Sequence, residues 1–140
     1  MAIELPQAIR QGACDYIVDQ VDTAGTGLLR IYESSGTPPD VDDAVNGTLL
    51  AELTMSATAF GAAAADGTAT AASITAESDA VAGTADYFRV VKGDETTIYQ
   101  GTVTSLGGGG DLELNPSATL VTDQTVEVSS LTLQVPETQS

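Results

Sequence analysis

The sequence predicts an all-β protein, an antiparallel β-sandwich or barrel with a jelly-roll-like arrangement. The alternation of apolar and polar residues that marks a half-buried strand recurs many times, whereas an uninterrupted amphipathic helical pattern is hard to find. Clusters of Gly, Pro and Asn separate these segments at short intervals, which is typical of sandwiches and barrels. The predicted strands are residues 15–21, 28–33, 49–55, 87–91, 97–104, 112–114 and 125–135.

We predict that residues 1–140 form a single β domain, since a chain of this length buries roughly two-thirds of its unfolded surface. Residues 1–14 are predicted to be an N-terminal arm, and residues 136–140 a polar tail. Residues 56–83 are rich in Ala, Thr and Gly. Because their alanine run is too short for a stable isolated helix, we predict an insertion or arm there: a loop or short helix followed by an extended segment.

The clearest hairpin joins residues 87–91 to residues 97–104 through a Lys-Gly-Asp-Glu turn. Phe88 and Val90 share one face of its first strand, and the opposite face also carries apolar residues. A strand with two partly apolar faces is expected to lie centrally in its sheet.

The last predicted strand changes phase. Val126 and Val128 alternate on one parity, whereas Leu131 and Leu133 alternate on the other. A β-bulge at the intervening serines, or a strand that crosses from one sheet to another, would restore a continuous buried face. We predict one of the two.

The charge balance argues against nucleic acid as a direct partner. Four basic residues stand against twenty acidic ones, for a formal net charge of -16 at pH 7. Affinity for nucleic acid comes mainly from Lys and Arg that neutralise phosphates. A strong charge of one sign instead steers a protein toward a positively charged partner.

The chain is predicted not to be an enzyme and to need no cofactor or metal. It has no histidine, which removes Ser-His-Asp and Cys-His machinery and the zinc sites that contain histidine. Cys14 is the only cysteine, so no intrachain disulfide is expected, and a small buried thiol is predicted. No apolar run reaches the length of a membrane span or signal peptide. We therefore expect cytoplasmic synthesis and no membrane partner.

Three motifs resemble parts of known sites and are interpreted as turns. The Asp-Thr-Ala-Gly at residues 22–25 differs from the Asp-Thr-Gly of aspartic proteases and has no second copy. The glycines at residues 25–27 and 107–110 lack the lysine of a phosphate-binding loop. Three acidic residues, Asp40, Asp42 and Asp43, form a predicted solvated turn, and a loop calcium ion is the alternative that their oxygen atoms leave open.

The order of short motifs from residue 28 to residue 136 resembles a family of small virion proteins encoded by tailed bacteriophages. These motifs are Arg30-Ile31-Tyr32, Gly47-Thr48-Leu49-Leu50-Ala51, Gly83-Thr84-Ala85, Tyr87-Phe88-Arg89, Gln100-Gly101-Thr102-Val103 and Val126-Glu127-Val128-Ser129-Ser130-Leu131.

The resemblance implies a structural component of the virion, a decoration or cement protein that binds the outer capsid surface and stabilises the head. Its partners would be the major capsid protein and further copies of itself, as a homotrimer, since capsid lattices offer three-fold sites. A tail, connector or baseplate component is the first alternative. The second is a carbohydrate- or receptor-binding β module, which would depend on exposed tyrosines.

Four residues are predicted to lie at an interface: Arg30, Tyr32, Arg89 and Tyr99. Each of the two arginines lies on a predicted strand among apolar neighbours, where it would pair with carboxylates across a subunit contact. The alternative is an ion pair within the chain, which would contribute little stability.

Overall fold

In a computed structural model, which describes residues 2–115 and 117–139, the chain is mostly β. Met1 in the predicted N-terminal arm, Pro116, and Ser140 in the predicted polar tail lie outside the described residues. The elements are β1 (Ile3–Glu4), α1 (Gln7–Asp19), a 3-10 turn (Gln20–Asp22), β2 (Leu28–Glu33), β3 (Thr48–Thr54), β4 (Thr68–Thr70), β5 (Gly83–Thr84), β6 (Tyr87–Val91), β7 (Thr97–Ser105), β8 (Leu112–Leu114), β9 (Thr119–Leu120), β10 (Thr132–Gln134) and β11 (Thr138–Gln139).

The main sheet has five strands in the order β3-β2-β6-β7-β8 and curls into a half-barrel. The strands predicted at residues 28–33, 87–91 and 112–114 are confirmed with the same bounds. The predicted β6–β7 hairpin is also confirmed, and β6 occupies the central position of the sheet. The other strands form three two-stranded ribbons: β1–β11, β4–β10 and β5–β9.

The strand predicted at residues 15–21 is wrong, because all of this segment belongs to α1 and the following 3-10 turn. Pro6 precedes the first helical turn, where its missing N–H is harmless. Cys14, Val18 and Val21 recur at spacings of four and three residues and are all buried. That period places them on one face of a helix, against β4 and β10. Residues 7–14 of the predicted N-terminal arm therefore belong to α1.

The expectation of a purely antiparallel sheet fails at β8, which runs parallel to β7. Parallel neighbours usually need a connection of a dozen or more residues. Here the glycine-rich segment at 107–110 folds back along β7, so β8 begins beside Val103. A Cβ at Gly108 would lie 2.7 Å from the Cβ of Thr104. The glycines are therefore needed for a close approach of the chain to itself.

The phase change near the C-terminal end corresponds to a change of partner. Val126 forms an isolated bridge with Glu77, whereas β10 pairs with β4. No continuous strand joins the two segments, and Val126 and Leu131 are both buried. The single strand predicted for residues 125–135 is therefore divided.

Residues 57–67 contain no helix, so the loop alternative for the alanine-rich segment is the correct one. Its apolar side chains enter the common core, where Ala59, Phe60 and Ala63 are buried. The backbone N–H of Ala63 donates to a carboxylate oxygen of Asp15 on α1 at 2.7 Å. The segment is thus part of the domain body. Within the described residues, no helix has the length and apolarity that crossing a bilayer requires.

The sheet has two differently covered faces. Its inner face directs Leu29, Ile31, Phe88, Val90 and Val103 into one hydrophobic core, which α1 and the β4–β10 ribbon share. Its outer face carries the alternate residues of β2, β6 and β7, many of them polar.

Candidate functional site

Arg89 fastens the loop at residues 34–47 to the outer face of the sheet. Its side chain is buried, with 4% of its surface exposed. Its Nε donates to the side-chain oxygen of Gln100 at 2.8 Å, and its Nη2 donates to the backbone oxygens of Asp40 and Asp43 at 3.0 and 2.9 Å. All three acceptors are uncharged. Arg89 is therefore a buried donor that binds two backbone carbonyl groups of the loop and the side-chain carbonyl of Gln100 on the sheet.

Two neighbours of Arg89 complete this attachment. Gln100, which lies beside Arg89 on β7, donates from Nε2 to the backbone oxygen of Pro39 at 2.8 Å. The Tyr87 hydroxyl donates to the backbone oxygen of Asn46 at 2.8 Å. Neither residue was predicted as a site residue. Their shared parity with Arg89 along the hairpin is the signal that would have identified them.

Tyr32 also packs on this outer face. It is buried, and its ring stacks on that of Tyr87 with centroids 4.9 Å apart and an interplanar angle of 11°. Burial raises the pKa of Tyr87 above its ordinary value. The two rings therefore contribute to packing between β2 and β6.

Arg30 lies directly opposite Arg89 on the neighbouring strand and has different partners. Its Nε and Nη2 donate to carboxylate oxygens of Glu52 and Glu95, each at 2.7 Å. Burial lowers the pKa of Arg30, but the two carboxylate hydrogen bonds raise it more, so the net direction is upward. The ion pair within the chain, one of the two alternatives left open by the sequence, is the one that the structure shows for Arg30.

The acidic turn at residues 40–43 directs its backbone oxygens at Arg89, as described above. The carboxylate of Asp40 accepts the backbone N–H of Asp42 at 3.1 Å, the arrangement of an Asx turn. Over residues 2–115 and 117–139, no group of three or more His, Cys, Asp or Glu side chains is placed to hold a metal ion.

Tyr99 lies on the inner face, near Cys14. Its ring meets Phe88 edge-on, with centroids 6.1 Å apart and an interplanar angle of 87°. Its hydroxyl oxygen is buried without a hydrogen-bond partner in the described part of the chain. Burial raises the pKa of Tyr99, and nearby Cys14 adds to the effect. Cys14 is fully buried as predicted, and its Sγ donates to the backbone oxygen of Leu133 at 3.4 Å.

The four predicted interface residues do not meet on one exposed surface. Tyr32 and Arg89 are buried on the outer face, Arg30 is half-buried beside them, and Tyr99 is half-buried on the opposite face. Each also contacts side chains of its own domain.

A cleft of about 330 Å³ opens beside Tyr99, between β7 and β10. Phe88, Tyr99 and Leu133 form its apolar wall, and Asp111 supplies a carboxylate. A Cβ at Gly101 would lie 2.5 Å from the Phe88 ring and 3.1 Å from the Asp111 Cβ. The absence of a side chain at Gly101 therefore brings Phe88 and Asp111 together at the cleft.

Asp22, the first residue of the protease-like motif, has a structural role. Its carboxylate accepts the backbone N–H of Ala59 at 3.0 and 3.2 Å. It thereby holds the alanine-rich segment near the end of α1.

Alkaline titration should reveal the two buried phenols. Because the pKa values of Tyr87 and Tyr99 are raised, we expect part of the tyrosinate absorbance at 295 nm to develop above pH about 10, the ordinary value. Both phenols hold their protons more tightly when folded. Their contribution to stability is therefore complete below about pH 10 and is lost as the pH rises through the folded pKa values. A folded-state curve that coincides with that of the urea-unfolded chain would contradict this assignment, and Tyr99→Phe should remove one late-titrating group.

Comparison with known proteins gives no match: no family model, no curated protein and no solved structure is significantly similar to this chain.

Proposed function

We propose that this chain is a structural protein of a tailed-bacteriophage virion, a decoration or cement protein without catalytic activity that binds the outer capsid surface and stabilises the head. The observation that carries the proposal is the distribution of charge. The chain has a formal net charge of -16, and three of its four cations are directed at oxygen atoms of their own domain.

Arg10 completes that set. It donates from Nη1 to the backbone oxygen of Leu5 at 2.7 Å and from Nη2 to that of Ala65 at 3.0 Å. With Arg10, Arg30 and Arg89 so placed, the outward charge is overwhelmingly negative. Such a surface repels phosphate and is steered to a positively charged protein surface.

The fold favours a passive binding role. The long 34–47 loop is fastened by the hydrogen bonds of Arg89, Gln100 and Tyr87. We propose that the half-barrel and the β4–β10 ribbon together form the two layers of a sandwich or barrel, since both contribute to the same core. A domain whose long loop is held in place in this way presents a surface of fixed shape to a capsid lattice.

The proposed partners are the major capsid protein and two further copies of the chain. Like charges oppose self-association, so contacts between copies would rely on exposed apolar groups. Ile9 and Tyr16 on α1 provide such groups, with 55% and 70% of their surfaces exposed. The trimer is proposed by analogy with virion proteins that occupy the three-fold sites of capsid lattices.

The copy number in purified particles tests the proposal. Quantitative mass spectrometry should find on the order of hundreds of copies per particle, with cryo-EM density on the outside of the head, as a surface lattice requires. A count of about six or twelve, the symmetry of a ring, would place the chain in a tail, connector or baseplate instead. Absence from particles would overturn both assignments.

A carbohydrate- or receptor-binding role needs exposed aromatic faces. Tyr32 and Tyr87 are buried against each other, Tyr99 is half-buried, and both phenylalanines are buried. Among the tyrosines only Tyr16 is exposed, so glycan binding would have to disappear in Tyr16→Ala. The aromatic residues therefore favour the structural role.

A further inference from the structure

One edge of β7 is open where the cleft begins. Val103 donates its N–H to the backbone oxygen of Asp86 at 3.0 Å, and Gly101 lies opposite Phe88. Backbone groups alternate in direction along a strand, so those of Gln100 point away from β6. β8 pairs only with Val103–Ser105 and does not reach this position. Within the described residues, the backbone of Gln100 therefore faces the cleft without a strand partner.

The facing edge of β10 is also open. Ala71 donates its N–H to Leu131 at 2.8 Å, and Val135 donates its N–H to Gly67 at 2.9 Å. The odd-numbered residues of this strand therefore direct their backbone groups to β4. By the same alternation, Thr132 and Gln134 direct theirs away from β4, and both line the cleft. In the part of the chain that the structure describes, β10 pairs with no strand other than β4.

Two open strand edges that line one cleft are the backbone requirement for strand addition, in which an extended segment completes a sheet. The side chains of the cleft restrict what such a segment carries. Phe88, Tyr99 and Leu133 suit an apolar stem, whereas Asp111 favours a positive charge. One oxygen of Asp111, Oδ2, accepts the N–H and hydroxyl of Thr102 at 2.9 and 3.0 Å. No described donor contacts Oδ1. A lysine or arginine side chain combines the two features, because its methylene stem is apolar and its tip is cationic.

Charge complementarity selects the source of the segment. A second copy would bring a net charge of -16 to an acidic cleft, and three of its four basic side chains already bind their own domain. A basic segment of another protein meets no such opposition.

We propose that the cleft between β7 and β10 receives an extended, basic segment of another protein that pairs with the backbone of Gln100, Thr132 and Gln134 and places a lysine or arginine side chain at Asp111. This inference deepens the proposed function, and it rests on that function only for locating the partner in a virion.

A synthetic peptide tests the proposal with the whole chain. The probe is acetyl-Thr-Lys-Val-Lys-Val-Lys-Thr-amide, titrated into the 15N-labelled protein. Amide signals of Gln100, Thr132 and Gln134 should shift, and their hydrogen exchange should slow by about tenfold at saturation. Asp111→Asn keeps an oxygen acceptor for Thr102 and should weaken binding about fivefold, the effect of one partly exposed charge pair.

Two controls separate pairing from simple charge attraction. Asp123→Asn removes a carboxylate that does not line the cleft, at a positive φ of 62° that asparagine tolerates, and it should change the affinity by less than about twofold. A probe with N-methyl groups on alternate backbone nitrogens should lose binding, since it cannot pair as a strand.

Three results of the peptide titration would overturn the proposal. The methylated probe could bind as tightly as the unmodified one, Asp111→Asn and Asp123→Asn could weaken binding equally, or the amide signals that shift could come from residues outside the cleft. Concentration-dependent protection of Gln100 without any peptide would identify a second copy as the occupant and would refute the choice of a basic partner. None of these results depends on whether the chain is found in particles, so the peptide test and the copy-number test fail independently.

Discussion

Replacing Arg89 with alanine is expected to destabilise the domain by about 4 kcal/mol, because it leaves buried acceptors without their charged donor. The acceptors are the backbone oxygens of Asp40 and Asp43 and the side-chain oxygen of Gln100. For a chain of this length the melting temperature should fall by about 10 °C or more. Thermal unfolding followed by circular dichroism measures the change. Limited proteolysis should also show earlier cleavage within residues 34–47.

Arg30→Ala is the matched control for that experiment. It removes the same charge from the facing position of the adjacent strand, but its ion pairs with Glu52 and Glu95 are partly exposed. Its cost should be below about 1 kcal/mol. If Arg89→Ala left the melting temperature unchanged and weakened binding to particles, the structural role assigned to Arg89 would be wrong and an interface role would be supported.

Gly47→Ala is expected to reduce the free energy of unfolding by about 3 kcal/mol or more, through backbone strain and a direct clash. Gly47 ends the 34–47 loop with a φ of 78°. A Cβ there would lie 1.9 Å from the backbone oxygen of Glu33 at the end of β2. Because this oxygen belongs to the backbone and not to a flexible side chain, it cannot move aside, and the loop would have to leave its place beside the sheet. Urea denaturation monitored by tyrosine fluorescence gives the change in free energy.

Gly25→Ala separates the two causes. Gly25 also has a positive φ, 92°, but nothing lies within 4 Å of the position that a Cβ would take. The cost there should be limited to the conformational strain of about 1 kcal/mol. Equal effects of the two substitutions would show that the close approach of Gly47 to β2 does not exist in solution.

Three strands of the main sheet were predicted well: burial alternates along β8 and most of β2, whereas β6 is a short run between turn signals whose five residues are all buried. β2, β6 and β8 have their predicted bounds, and the β6–β7 hairpin is central. The helix was missed although its period was present, since Cys14, Val18 and Val21 occupy one helical face. Tyr16 and Ile17 lie between them, and these aromatic and β-branched residue types are common in strands.

The candidate site was harder to predict, because it depends on pairing between distant segments. The arginines were identified as unusual, but sequence could not distinguish the carboxylates around Arg30 from the backbone oxygens around Arg89. Every residue has a backbone oxygen, so no residue pattern in a sequence indicates which of these oxygens will accept a hydrogen bond. The cleft depends on an edge of β7 that β8 leaves uncovered, and the parallel direction of β8 was not expected.

The two facing arginines should respond differently to dissolved salt. Ions screen partly exposed charge pairs such as those of Arg30, whereas the buried bonds from Arg89 to uncharged oxygens are screened much less. Ions also relieve the mutual repulsion among twenty acidic side chains. In concentrated salt the long outer loop should therefore stay docked, while the weaker repulsion between carboxylates stabilises the whole molecule.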